Sequence, residues 1–379
     1  MVDVKNKRVF LSVNDPSADT HCAGLITALR RTGVPLEFVG IGGPKMAAAG
    51  CTLLENTVGR AAMGCATLAH VGHYYRLLQR TRNYLQNDPV DLVIVCDSPS
   101  FNFHIAKAAK RAGVQTLFYV APQLWAWAEW RIHKLRRCCD KLCCLLPFEE
   151  PWFRQRGINA TFVGNPLLDK LPSDLTRFRR DYSHFEPDSA KIALMPGSRL
   201  AEIESLWRPM QEVAVALKRK YQGVSFVAVA ASEERRHLLE RMQIPDFTCA
   251  YSVDTVRATA AAADFSLVAS GSATLEVASS GCPMVILYQA NRILWHLVGR
   301  WLVHSKFYTL VNLLAQRELV TEFMPYFTSI EPILQKVEAF LQDRNSLARI
   351  SNELIDVVEP LTQKQAGAEV ARIVVEMLR

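Results

Sequence analysis

Several features common in chains of this size are missing from these 379 residues. No apolar run reaches the ~18–20 residues that a membrane-spanning helix requires. The first strand–helix turn carries no G-x-G-x-x-G, which weakens a dinucleotide-binding reading. No D-x-D pair occurs, so the acidic ligands with which many transferases hold a divalent ion are absent from the sequence. Internal repeats and low-complexity segments are lacking. The basic residues are not gathered into one patch with a recognisable module, which argues against nucleic acid as a partner. Histidines 70, 73, 104 and 133 have no metal-ligand spacing and read as structural or surface residues.

Half of the residues are hydrophobic and 21% are charged, a globular composition. Lys plus Arg number 44 against 37 Asp plus Glu, a net charge of +7. That modest excess suits an anionic partner such as phosphate, a nucleotide or acidic lipid headgroups. There are ten cysteines, and the start, MVDVKNKRVFLSV, runs straight into a strand-like segment with no apolar stretch and cleavage site. Both lead us to expect a reducing compartment and a soluble or peripheral protein. Cys138, Cys139, Cys143 and Cys144 resemble a metal cluster at first sight. The last two, however, lie in KLCCLLPF, which reads as a buried strand, where neighbouring side chains point to opposite faces. No metal site is therefore expected.

Short apolar runs alternate with helical patterns, the βαβ signature of parallel sheets. Strands are expected at Val9–Val13, Phe38–Ile41, Leu92–Cys96, Thr116–Val120, Leu142–Leu146 and Thr161–Val163. After the proline-bearing run GNPLLDKLPSD (164–174), a second series follows at Ile192–Met195, Ser225–Val229, Phe265–Val268 and Met284–Leu287. The fold class is α/β, with two Rossmann-like doubly wound domains. The first spans 1–168 and the second 169–345. Helices over 346–379 are expected to pack back on the first domain or on a partner protomer. Ligands of such folds bind beyond the carboxyl ends of the strands, so a cleft between the domains is the expected site.

Four turns carry chemistry. SVNDPSADTHCAGL (12–25) offers Asp15, Ser17 and Asp19 at a helix start, where Ser17 or Asp19 serves as a cap and the group suits sugar hydroxyls. IVCDSPSFN delivers Asp97 after four apolar residues, a costly place for an unused carboxylate. It is the candidate general base for an attacking hydroxyl; the competing reading is a cap for the next helix. In LMPGSRLAEIE (194–204), Gly197 permits a tight turn. The N–H groups of Ser198 to Leu200 would receive a diphosphate, and Arg199 adds a charge-assisted partner. In VASGSATLEVASSG, Ser270, Gly271 and Ser272 form a second phosphate-compatible start. Glu276, one turn on, is placed to accept ribose hydroxyls. Arg199 and the two helix starts would supply the positive potential that a metal supplies elsewhere, so no cofactor is expected. Two stretches, 63–85 and 292–307, mix aromatic and aliphatic residues with arginines and fit interfacial or core-facing amphipathic helices. WAWAEWRIHKLRR (125–137) sets three tryptophans before a basic run that suits an acceptor phosphate or a packed interface.

Together these residues resemble the lipid-A-disaccharide synthases, glycosyltransferases of the GT-B architecture. NDPSAD matches the family's Gly-Glu-x-Ser-Gly-Asp, and DSPSFN its Asp-x-Pro-x-Phe-Asn. Trp-Ala-Trp, LPFE (146–149), PGSR-x-x-E ending at Glu202, SG-[ST]-A-x-LE ending at Glu276 and NLLA-x-RELV (312–320) follow in collinear order. The resemblance implies a metal-independent, inverting transfer from UDP-2,3-diacylglucosamine to 2,3-diacylglucosamine 1-phosphate. The products are the β-1,6 disaccharide and UDP. Asp97 would be the base. Gly197, Ser198, Arg199, Ser270, Gly271, Ser272 and Glu276 would hold the donor, joined by Asn312, Arg317 and Glu318. Asp15, Ser17, Asp19, Asn102, Trp127 and Arg131 would face the acceptor. It further implies a cytoplasmic protein, peripheral at the inner-membrane surface, whose carboxyl-terminal helices can be exchanged in a homodimer.

The sequence departs from the family pattern at Asn14, Asp15, Ala18, Ser100, Asn165, Val311 and Gln316. The acceptor side has drifted more than the donor side. Two other readings stay open: a GT-B UDP-sugar enzyme with a different acceptor, and a non-catalytic nucleotide-sugar binder.

Overall fold

A computed structural model describes residues 6–58, 68–290, 292, 295–296 and 307–379, with the side chains of 68–71 and of Trp127 left out. Most of the stretch 292–307 and the beginning of 63–85, both read above as interfacial, therefore lie outside the described residues.

The chain forms two units. The first is Met1–Asp169 with Gln363–Arg379, and the second is Lys170–Thr362. The first holds seven strands: β1 Lys7–Ser12, β2 Leu36–Gly42, β3 Thr52–Asn56, β4 Leu92–Cys96, β5 Gln115–Tyr119, β6 Lys141–Cys144 and β7 Ala160–Phe162. The second holds β8 Lys191–Met195, β9 Ser225–Ala230, β10 Ala250–Val253, β11 Phe265–Ala269, β12 Met284–Leu287 and β13 Thr321–Phe323. Spatial order is 3-2-1-4-5-6-7 in one sheet and 10-9-8-11-12-13 in the other. Every neighbouring pair is parallel. Central strands such as LVIVC (β4) and FSLVA (β11) are buried along their whole length. That is why they read as unbroken apolar runs rather than as alternating ones.

Three strands were not foreseen: β3 (TLLEN), β10 (AYSV) and β13 (TEF). All three are sheet edges. An edge strand is covered on fewer sides, so it tolerates polar residues and loses the apolar signature. Cys143 and Cys144 are buried in β6, and burial drives the Cys143 thiol up to about 12.

The expected third segment, 346–379, divides in two. Its first part belongs to the helix Arg344–Val358, whose Leu347 joins the core of the second unit. Ser351 on the same helix accepts a bond from the Arg180 N–H. Only the helix Ala366–Met377 returns to the first unit. There Val370, Ala371 and Val374 share a core with Leu25 and Leu29 of the helix Pro16–Arg31. Asp169, just before the crossover, accepts the N–H groups of Ala366 and Gly367 at 2.8 and 3.1 Å and so caps that returning helix. The boundary at 346 fails because Arg344–Val358 carries an apolar stripe that the second core covers.

Candidate functional site

Strand order reverses between β1 and β4 in the first sheet and between β8 and β11 in the second. The loops leaving these strands are the expected ligand-binding positions of an open parallel sheet.

In the first unit the loop after β4 begins with two left-handed residues, Asp97 (φ 52°) and Ser98 (φ 43°). After β5, Val120 is also left-handed, at φ 70°. For a β-branched residue that conformation is a true outlier. Each such residue costs about 1–3 kcal/mol, and strain of this kind concentrates at functional sites. Here three strained residues end two neighbouring strands.

Asn102 holds the turn. Its amide donates to the carbonyls of Asp97 at 2.6 Å, Cys96 at 3.0 Å and Ser12 at 3.4 Å, and its Oδ1 accepts from Ser12 Oγ at 2.6 Å. The side chain is fully buried. Asn102 therefore positions Asp97 and binds β1 to β4; it does not face an acceptor as expected. Its hydrogen-bonding capacity is spent within the protein.

Asp15, rather than Ser17 or Asp19, caps the helix Pro16–Arg31. Its Oδ1 accepts from the Ser17 and Ala18 N–H groups and from Ser17 Oγ, each at 3.0 Å. Its Oδ2 is reached by Ser98 Oγ at 3.4 Å, which ties the first turn to that of Asp97. Asp19 also leaves the acceptor set. It is buried and accepts the N–H groups of Gly43, Lys45 and Met46 at 3.0–3.1 Å, so it anchors the short helix Pro44–Ala48. Asp97 itself is exposed. Its place after four apolar residues therefore does not bury the carboxylate.

Two residues here escaped the sequence reading. Asn14 is 7% exposed, and neither atom of its amide has a partner. A buried amide left so is expensive and marks a place for a polar group from outside. The available signal was its position, where the family pattern has glycine. His21 lies near Asp15, and its ring stands 6.3 Å from that of Tyr119. Burial lowers its pKa, Asp15 opposes this and Lys45 adds to it, so the imidazole is neutral at neutral pH.

The tryptophan and LPFE motifs meet in one hydrogen-bonded knot. Trp125 Nε1 donates to Glu149 Oε1 at 3.1 Å, and Glu149 Oε2 accepts the Leu145 and Leu146 N–H groups at 3.1 and 3.0 Å. Burial raises the Glu149 carboxyl from 4.5 to about 7, with those bonds opposing. A raised carboxyl stabilises the fold below the unfolded value, and that contribution is lost as pH climbs through the folded value. Between pH 5 and 7.5 the wild type should therefore lose about 2 kcal/mol more unfolding free energy than Glu149→Gln. Urea unfolding at the two pH values checks this, and parallel losses would refute it. Arg131, at the end of this region, sits with Lys134 beside the exposed ring of Trp130, 5.1 and 5.3 Å from its centre. The side chain of Trp127 lies outside the described residues.

In the second unit Gly197 is left-handed at φ 102°. Glu202 already occupies the helix start that was expected to be open. Its Oε2 accepts the N–H groups of Ser198 and Arg199 at 3.1 and 3.2 Å, while Arg199 Nη1 donates to Oε1 at 2.8 Å. The carboxylate stands where an anion would stand, and the exposed Arg199 pairs with it. Across the switch point, Ser270 is half-buried and Gly271 and Ser272 are exposed. They lead into the helix Ala273–Ala278 without a side-chain cap. Glu276 is half-buried, and its carboxyl is pushed up by burial and then by Asp254, with Arg257 opposing.

The remaining expected donor residues sit differently. Asn312 is fully buried. Its amide donates to the Val320 carbonyl and Glu322 Oε1, and its Oδ1 accepts the N–H groups of Leu319 and Val320. It shapes the RELV turn and has no capacity left for a ligand. Arg317 is committed to Glu353 at 2.5 Å. Glu318 is exposed at the same turn. Gln316, standing where the family pattern has glycine, is left-handed at φ 55°, which explains why glycine suits that position. Among the described residues no group of three or more His, Cys, Asp and Glu is arranged to hold a metal ion, and no helix is long and apolar enough to cross a membrane.

The family model for lipid-A-disaccharide synthetase matches residues 9–375. The chain belongs to the lipid-A-disaccharide synthase family. The lipid-A-disaccharide synthase of Geobacter metallireducens is 32% identical over 376 residues, 98% of each chain. That of Colwellia psychrerythraea is 34% identical over 375 residues, 97% of this chain and 93% of its own. Membership makes the chain a hexosyltransferase of lipid A biosynthesis. Among solved structures, S. aureus MnaA in its UDP co-structure superposes with a TM-score of 0.61 at 15% identity, covering 97% of this chain and 95% of that one. Acinetobacter baumannii MurG gives 0.59 at 14% identity, with 98% and 99% covered. Identities this low speak to the fold alone, and the fold is GT-B. Lipid-A-disaccharide synthase membership thus rests on sequence, and the two parallel sheets agree with it.

Proposed function

We propose that the chain transfers 2,3-diacylglucosamine from its UDP conjugate to 2,3-diacylglucosamine 1-phosphate, with inversion and without a metal. The observation that carries this reading is the strained turn of Asp97. A carboxylate is presented at the switch point of the first sheet, on a backbone pinned by Asn102. Asp97 takes the proton of the acceptor's primary hydroxyl as that oxygen attacks the anomeric carbon. The anomeric C–O bond to the diphosphate breaks, and its electron pair leaves on UDP. The donor diphosphate takes over the Ser198 and Arg199 N–H groups from Glu202, and the freed Arg199 guanidinium meets the leaving charge. Glu276 accepts ribose hydroxyls. Acylated substrates would bring the protein to the inner-membrane surface from the cytoplasm.

Mass spectrometry after incubation of the protein with both lipids tests the reading. The expected product is a tetraacyl disaccharide 1-phosphate, with one UDP released per disaccharide. Release of UDP with no disaccharide, or no turnover of either lipid, overturns it.

A further inference from the structure

On the first unit a groove of about 580 Å³ runs between the helices Pro99–Arg111 and Ile132–Cys138. Six cations line it: Lys107, Lys110, Arg111, Arg131, Lys134 and Arg137. No carboxylate does. Lys110 is paired with Asp140 at 2.8 Å. Lys107, Arg111, Lys134 and Arg137 make no ion pair among the described residues. Like charges gathered without counter-charge repel one another, and an anion relieves that repulsion. Phe103 and the buried Cys138 add apolar surface between the charged rims. At the Arg131 end stands Trp130, 60% exposed.

Two features give the occupant its chemistry. A cationic rim around apolar surface fits an amphiphile with an anionic head rather than a free ion. The groove also starts at Ser100, three residues beyond Asp97, in the first turn of the helix that follows the Asp97 loop. From Ser100 to Lys107 the helix rises about 10 Å. A ligand anchored by its anion near Lys107 would span about that length to reach the start of the helix beside the Asp97 loop.

We infer that this groove recognises the phosphomonoester of an acylated sugar, the acceptor in the reaction proposed above, and the inference rests on that reading. Its test uses binding rather than turnover, so failure of the reaction and failure of the groove are told apart. Calorimetry on the full chain compares 2,3-diacylglucosamine 1-phosphate with its dephosphorylated counterpart. The wild type is expected to prefer the phosphorylated lipid by tenfold or more, with the preference shrinking as salt rises. The double variant Lys107→Ala/Arg137→Ala is expected to lose the preference while its UDP affinity is unchanged. The charge-retaining Lys107→Arg/Arg137→Lys should keep it. Equal affinity of the wild type for both lipids overturns the inference, as does an undiminished preference in the alanine variant. Sedimentation with phosphatidylglycerol vesicles separates the other source of phosphate. If the alanine variant loses vesicle binding but keeps its preference for the phosphorylated sugar, the groove reads bilayer headgroups and the assignment fails.

Discussion

Asp97→Asn should lower kcat by about 10²–10⁴-fold, the usual contribution of a general base, and leave UDP affinity within about twofold of the wild type. Asparagine keeps the size and shape of the side chain but cannot take up a proton at neutral pH. It is also among the few residues that tolerate a left-handed backbone, so the turn at φ 52° should survive. The bond from Asn102 goes to the backbone carbonyl of residue 97, which the substitution does not touch. Because Asp97 is exposed, stability should change by no more than about 0.5 kcal/mol. A loss of activity would then report chemistry rather than unfolding. Turnover within about threefold of the wild type, measured by UDP release, would remove Asp97 from the mechanism.

Asn102→Ala is expected to cost about 3 kcal/mol of stability and to lower kcat as well. The change strands the Ser12 hydroxyl and the Cys96 carbonyl in a region closed to water and removes the donor to the part-buried Asp97 carbonyl. Each orphaned group costs about 1–3 kcal/mol, part of which local relaxation recovers. Without the clamp, the Asp97–Ser98 turn loses the contact that holds two left-handed residues in place. kcat should therefore fall more than UDP affinity, which the proposed reaction assigns to the loops of the other unit. Asn102→Asp makes the sharper control. It keeps the volume but turns a carboxylate toward three carbonyl oxygens, so at neutral pH it should be more destabilising than alanine. Urea unfolding ranks the three proteins. Equal stability of wild type and alanine variant would show that the clamp contributes nothing.

Asp97 stands out in the sequence because a carboxylate ending an apolar strand has few inexpensive explanations. Asn102, Asp19 and Asn312 sit in equally conspicuous motifs, yet each is buried and spends its hydrogen bonds within the protein, mostly on backbone groups. A motif marks a residue as constrained; it does not say whether a ligand or the chain itself imposes the constraint. Glu202 is the same lesson in reverse. Sequence places it one turn into a helix, but only the folded loop brings it onto the N–H groups that an incoming diphosphate would use. Sequence marks Asn14 only as a departure from the family pattern, while its unpartnered buried amide is a property of the fold, and Val120 differs only in a backbone angle.

What sequence alone determined is the alternation of strand and helix, the family and the place of the candidate base. These are local in the chain: apolar runs, turn residues and spacings fixed over a few positions. Tertiary structure decided which polar residues are free to meet a substrate, where the edge strands lie and how the cations of two separate helices come to share one groove. Those depend on distant segments competing for the same hydrogen bonds and the same burial, and no short stretch of sequence contains that competition.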